Sequence, residues 1–236
     1  MELNAHYASA RRLALSVVMV VTLSTMATGS ALASCSFNRG VDHFTAHRVI
    51  AVQTVSGVTK VKSTISEYDP VYTAANTTGT NSTVLLSNST STWAQFGWFK
   101  SQIITPGVTA RNSIAQMCNN CGGHPVNNWW PAQPIGNQTI YEVDYGATGF
   151  GFYRNGQLLI TVGPSFVPSN YQIFSETHDL QDQMPGGTVL NEFFRFSQYF
   201  SAGGWHNATP IGTTEPYYGY NNPLGGGYDV WDKSCT

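Results

Sequence analysis

Thr92-Trp93-Ala94-Gln95-Phe96-Gly97-Trp98-Phe99 decides how the rest of the chain reads. It is short, dense in aromatics and flanked by Ser, Thr and Asn, the signature of a central β-strand. Alternation puts Trp93, Gln95, Gly97 and Phe99 on one face and Ala94, Phe96 and Trp98 on the other. The second face is apolar core. The first holds an amide between large rings, beside a glycine that clears space for another backbone or a ligand.

Outward from this strand, more short strands appear. Val49–Val55 and Lys60–Ser66, joined across Ser56-Gly57, read as an antiparallel pair. Val84–Ser87, Ile140–Tyr145, Tyr171–His178 and Glu192–Phe200 read as strands. Phe150–Tyr153 and Leu158–Val162 form a hairpin about Asn155-Gly156, a dipeptide suited to a type I′ turn. Ile103–Pro134 reads as irregular, a lid or one wall of a groove, and Gly203–Tyr228 as an irregular tail. No long window carries a helical apolar period. Many short strands with Gly, Pro and Asn turns predict an all-β, two-sheet antiparallel sandwich of jelly-roll type, with ligands on a concave face.

Residues 1–33 read as a signal peptide: Arg11 and Arg12, an apolar run Leu13–Leu23, then Ala31-Leu32-Ala33 before Ser34. The run is too short to span a membrane as a helix, and no later stretch approaches that length. This predicts a secreted, single-domain chain over residues 34–236. Leu32-Ala33-Ser34-Cys35 also fits a bacterial lipobox, so a lipid anchor on Cys35 is the alternative. Loss of Glu2, Arg11 and Arg12 moves the net charge from −2 to about −3. With 10% charged and 13% aromatic residues, and no basic run after the leader, nucleic acid is not expected as a partner. The cysteines are Cys35, Cys118, Cys121 and Cys235. Of the three pairings open to them, the simplest clamps the termini through Cys35–Cys235 and closes a loop with Cys118–Cys121.

Gln95-Phe96-Gly97-Trp98, Glu176 and Gln183-Met184-Pro185-Gly186-Gly187 resemble the neprosin domain and the related eqolisin glutamic peptidases. Ser56–Pro70 and Tyr228-Asp229-Val230 with Cys235 are similar to further parts of neprosin, so scattered motifs span most of residues 37–235. The resemblance implies a concanavalin-like β-sandwich on which a polar dyad hydrolyses peptide bonds at acid pH without a cofactor. Glu176 then matches the catalytic glutamate, and Gln95 the partner position, which is Gln in eqolisins and Glu in neprosins. The chemistry is sensible: a carboxylate takes a proton from water and returns it to the leaving amine, while an amide donates to the oxyanion. Trp93, Trp98, Trp129 and Trp130 are candidates to line the polypeptide groove. His178, two residues beyond Glu176 on the same face, is a candidate to hold Glu176 ionised.

A rival reading uses Glu142 and Asp144, about 6.6–6.8 Å apart along one strand face. With tryptophans as stacking platforms it predicts polysaccharide binding or glycoside hydrolysis. A third takes Cys118, Cys121 and His124 as zinc ligands, but no second pair completes the set, and export favours a disulfide. The expected site therefore contains no metal. Asn76, Asn81, Asn88, Asn137 and Asn207 head N-x-S/T sequons, expected on surface loops in a glycosylating host.

Overall fold

The computed structural model describes residues 35–37, 39, 46–72, 79–102, 108–122, 125–188, 191–209, 212, 215–222 and 226–235. The leader expectation, Asn76 and His124 lie outside them. The strands are β1 His47–Thr54, β2 Lys60–Ser66, β3 Thr80–Ser89, β4 Thr92–Ser101, β5 Ala110–Asn119, β6 Val126–Pro131 and β7 Gln138–Gly146. There follow β8 Gly149–Arg154, β9 Gln157–Val162, β10 Asn170–Thr177, β11 Glu192–Ser201, β12 Gly204–Asn207, β13 Tyr218–Asn221 and β14 Tyr228–Asp232. Among the described residues there is no helix. All pairing is antiparallel, in a six-stranded sheet ordered β1-β10-β3-β4-β5-β6 and an eight-stranded sheet ordered β13-β14-β11-β2-β7-β8-β9, with β12 beside β11. The fold is an all-β, two-sheet antiparallel sandwich.

The focal strand, β4, holds the two sheets together. Phe96 meets Tyr141 of β7 edge-on at 5.0 Å and Phe152 of β8 at 6.0 Å between ring centroids. Trp98 is fully buried and donates its indole N–H to the Ser66 carbonyl at 3.0 Å. Gly97 faces the β3 backbone, where a Cβ would come within 2.0 Å of the Ser82 carbonyl oxygen. The missing side chain thus admits a neighbouring strand.

β1 and β2 are not partners, contrary to their adjacency in sequence. β1 pairs with β10, whereas β2 pairs with β7 and β11. The Ser56-Gly57 turn, with Gly57 at φ 69°, carries the chain from one sheet to the other rather than folding it back. The segment read as irregular supplies β5 and β6, which extend the sheet that β4 belongs to. β5 is masked in sequence by its polar start, Arg111-Asn112-Ser113. β6 ends at Pro131 and is tolerated because it is an edge strand. The tail supplies β12, β13 and β14 in place of an irregular run. The Asn155-Gly156 hairpin forms as expected, with φ of 51° and 78°.

Cys35 is bonded to Cys235 and Cys118 to Cys121. Beside the first bridge, Arg39 is gripped by Asp232, with Nη2 at 2.6 Å from Oδ2, and donates to the Leu180 carbonyl. The second bridge occupies both sulfurs of the proposed zinc pair. Among the described residues no cluster of His, Cys, Asp and Glu fits a metal ion.

Candidate active site

The outward face of the six-stranded sheet is read off its register. One row runs Arg48, Glu176, Asn81, Phe99, Asn112, Pro131. The next of the same parity runs Phe174, Thr83, Gly97, Ile114, Trp129, and the one after it Gln172, Leu85, Gln95, Gln116, Asn127. Glu176 is the one carboxylate that these rows contain among the described residues.

Gln95 and Glu176 share this sheet and this face but do not meet. They lie two strands and four residues apart, about 17 Å between Cα atoms at ~3.4 Å rise and ~4.8 Å strand spacing. No direct hydrogen bond joins the two side chains. Gln95 instead donates from Nε2 to Gln116 Oε1 at 2.5 Å, and Gln116 passes the chain on to Asn127 Oδ1 at 2.7 Å. On β10 the residue in the Gln95 row is Gln172, an amide.

Glu176 has its own partners. His178 Nε2 lies 2.6 Å from Oε1, Arg48 Nε binds Oε2, and Asn81 Nδ2 donates to Oε1 at 3.3 Å. Burial pushes the carboxyl pKa up, but the hydrogen bond and charge of His178, together with Arg48, outweigh it and hold the group at about 2. Asn81 is its register neighbour on β3, so an amide and a carboxylate do stand side by side, with Asn81 in place of Gln95. Three atoms on this face, Asn81 Oδ1, Thr83 Oγ1 and Gln172 Oε1, are buried without a hydrogen-bond partner among the described residues.

The aromatic candidates divide. Trp93 and Trp129 are on the outward face, Trp129 at 54% exposure. Trp98 and Trp130 lie on the inward face, where Trp130 packs on Phe96 at 5.9 Å, and line no groove. Glu142 and Asp144 lie on the eight-stranded sheet, away from all four tryptophans. Asp144 is paired with Lys60 at 2.6 Å, and burial raises the Glu142 pKa against the pull of Lys62. Sequence reasoning missed Asn81, Gln116 and Arg48. The Asn81 sequon pointed to a surface loop, yet Asn81 is a buried strand residue, whereas Asn88, Asn137 and Asn207 are exposed.

No protein-family model matches the chain, and no curated protein does. Solved structures do. Scytalido-glutamic peptidase with a peptide-based transition-state analogue is similar over 82% of this chain and 100% of its own, with a TM-score of 0.55 and 9% identity. SCP-B, a member of the eqolisin family of peptidases, in a complex with the tripeptide Ala-Ile-His, gives the same coverage with a TM-score of 0.54 and 9% identity. A second scytalido-glutamic peptidase complex gives 0.52 and 10%. At such identity the likeness is one of fold, and that fold is the two-sheet sandwich of the glutamic peptidases.

Proposed function

We propose that this chain is an exported glutamic-type peptidase that hydrolyses polypeptides at acid pH on the outward face of its six-stranded sheet, with no cofactor. The observation that carries the reading is the Glu176–Asn81 pair: a carboxylate with a pKa of about 2 beside an amide whose Oδ1 is buried and, among the described residues, unpartnered. A water held between them gives its proton to Glu176 as it attacks the peptide carbonyl. Asn81 Nδ2 and the partly exposed Arg48 are donors for the oxyanion, and Glu176 returns the proton to the leaving amine. A carboxylate with so low a pKa remains a base in strong acid. The amide row of Gln95, Gln116 and Gln172 serves to hold the polypeptide backbone, with Trp93 and Trp129 flanking it. Polypeptide as substrate agrees with the peptide ligands of the structures sharing the fold. Two disulfides favour an oxidising destination, and the Cys35–Cys235 bond uses the sulfur that a lipid anchor would need.

The test is degradation of a denatured protein by the mature chain from pH 2 to 7. Glu176→Gln is expected to abolish cleavage, and Asn81→Ala to lower kcat by about 10²-fold. Gln95→Ala is expected to act mainly on KM. Cleavage indifferent to Glu176→Gln would refute the assignment. A second reading rests on Gln172: since no carboxylate stands in the Gln95 row, the face can bind polypeptide without cutting it. Binding of the denatured protein with no cleavage at any pH would favour that reading.

A further inference from the structure

The motif Gln183-Met184-Pro185-Gly186-Gly187 has a place in the fold that the peptide reading does not use. Gln183 is wholly buried and bonded to Val71 in both directions: its N–H donates to the Val71 carbonyl at 2.9 Å, and its Oε1 accepts from the Val71 N–H at 2.7 Å. Its Nε2 donates to the Gly186 carbonyl at 3.0 Å and to the Tyr68 hydroxyl at 3.1 Å, so both amide hydrogens are used within the protein. Gly186, at φ 93°, lies against β14, where a Cβ would come within 2.2 Å of the Val230 carbonyl oxygen. Between them the Met184 N–H donates to Asp232 Oδ2 at 3.2 Å. The motif is thus a latch, fixed to the segment after β2 on one side and to β14 on the other.

The latch reaches Glu176 through one hydroxyl. Thr80, wholly buried at the start of β3, has Oγ1 3.0 Å from the Glu176 carbonyl and 3.1 Å from the Gln183 carbonyl, and its single hydrogen is shared between them. The place of that bond matters, because β10 ends at Thr177, one residue short of His178. Side chains at i and i+2 share a face only while the backbone stays extended. Just beyond, the chain turns, the Asp182 N–H donating to the Asp179 carbonyl at 3.1 Å. His178 nevertheless stays in line and sets Nε2 2.6 Å from Glu176 Oε1. Its own N–H donates at 3.2 Å to the carbonyl of Gly79, the residue before Thr80. Gly79 and Thr80 therefore grip both ends of the Glu176–His178 segment.

We propose that Thr80 is a positioning residue for Glu176, anchored in turn by Gln183. It acts on the backbone from which the carboxylate and the imidazole both project, not on the carboxylate itself. Without the hydroxyl, the last turn-ward residues of β10 lose their tie to the latch, and His178 Nε2 is no longer kept on Glu176 Oε1. Small misplacements of a proton-transferring group are costly, so a bond one strand away governs the rate. The catalytic consequence rests on the reading of Glu176 as the base; the positioning itself does not.

The test compares Thr80→Val, which keeps the shape and strand preference but loses the hydroxyl, with Thr80→Ser, which keeps the hydroxyl, and with Gln183→Leu. The Glu176 carboxyl is titrated by NMR in the full mature chain carrying isotope-labelled glutamate, its resonance assigned with Glu176→Gln. In wild type it should titrate at about 2. In Thr80→Val and Gln183→Leu the titration should move upward, because the imidazole no longer holds the ionised form, and in Thr80→Ser it should stay with wild type. On denatured protein, Thr80→Val should lower kcat about tenfold at unchanged KM and raise the acid limb of the profile, with Thr80→Ser restoring both. A lowered thermal midpoint in Thr80→Val, with the Glu176 titration and kcat of wild type, would make Thr80 structural only and overturn the proposal. So would a Thr80→Ser variant as impaired as Thr80→Val. The titration needs no turnover: absence of cleavage by wild type would refute the peptidase reading, while a shifted titration in Thr80→Val would still establish that Thr80 positions Glu176.

Discussion

Glu192 gives the sharpest test of how this fold responds to pH. Its side chain is fully buried, and Ser66 Oγ donates to Oε2 at 2.7 Å. Among the described residues Oε1 has no hydrogen-bond partner: Trp98 donates to the Ser66 carbonyl, and the Ser82 hydroxyl is hydrogen-bonded to that of Ser175. The charged or titratable groups that face it are Glu67, itself held by Arg111 and Tyr141, and the phenols of Tyr68 and Tyr228. Burial, with Glu67 beside it, therefore pushes the Glu192 pKa well above the ordinary 4.5. A raised folded-state pKa means that the native state binds the proton more tightly than the unfolded chain. The contribution is complete below pH 4.5 and is lost as pH rises toward the folded value, at about 1.4 kcal/mol per pH unit. For a domain of this size that is about 3–6 °C of melting temperature per unit. Glu192→Gln keeps the shape and removes the titration. Thermal melts followed by circular dichroism from pH 3 to 8 should show the variant level with wild type near pH 4 and progressively more stable above it. Parallel curves across the whole range would refute the assignment of a neutral Glu192.

Two further outcomes follow from other parts of the molecule. His178→Ala removes the main group that holds Glu176 ionised, so the acid limb of the cleavage profile should move upward from about pH 2; a profile with an unmoved acid limb would detach His178 from the site. The native Glu176 has the opposite sign to Glu192, its stabilisation being present above pH 4.5 and lost as pH falls toward 2. Cys235→Ser opens a ring of sequence separation 200, worth about 5 kcal/mol by chain entropy, and should lower the melting temperature by about 10–20 °C. A drop of only a few degrees would show that Arg39–Asp232 and its neighbours clamp the termini unaided.

The sandwich was legible because alternation is local. Ala94, Phe96 and Trp98 announce a buried face within a few residues, and Gln95 shares the opposite face with Glu176. What alternation cannot carry is register. The offset between Gln95 and Glu176 is fixed by how β3 is paired on its two sides, and β3 is largely Thr, Ser and Asn, with its three-residue aliphatic centre the only part that reads as a strand. Parity therefore survives while position along the strand is lost, so a pair inferred from two outward residues is displaced by four residues and two strands. The same limit hid Asn81, whose neighbour across the sheet is Glu176 although 95 residues separate them in the chain. A bulge is harder still: one additional residue between Arg195 and Gln198 breaks the period by which strands are recognised. Read with strict alternation, Phe196 falls on the inward face with Phe194, as one more core aromatic. The bulge turns it out into solvent, so the residue that best fits the core pattern in sequence is among the most exposed in the fold.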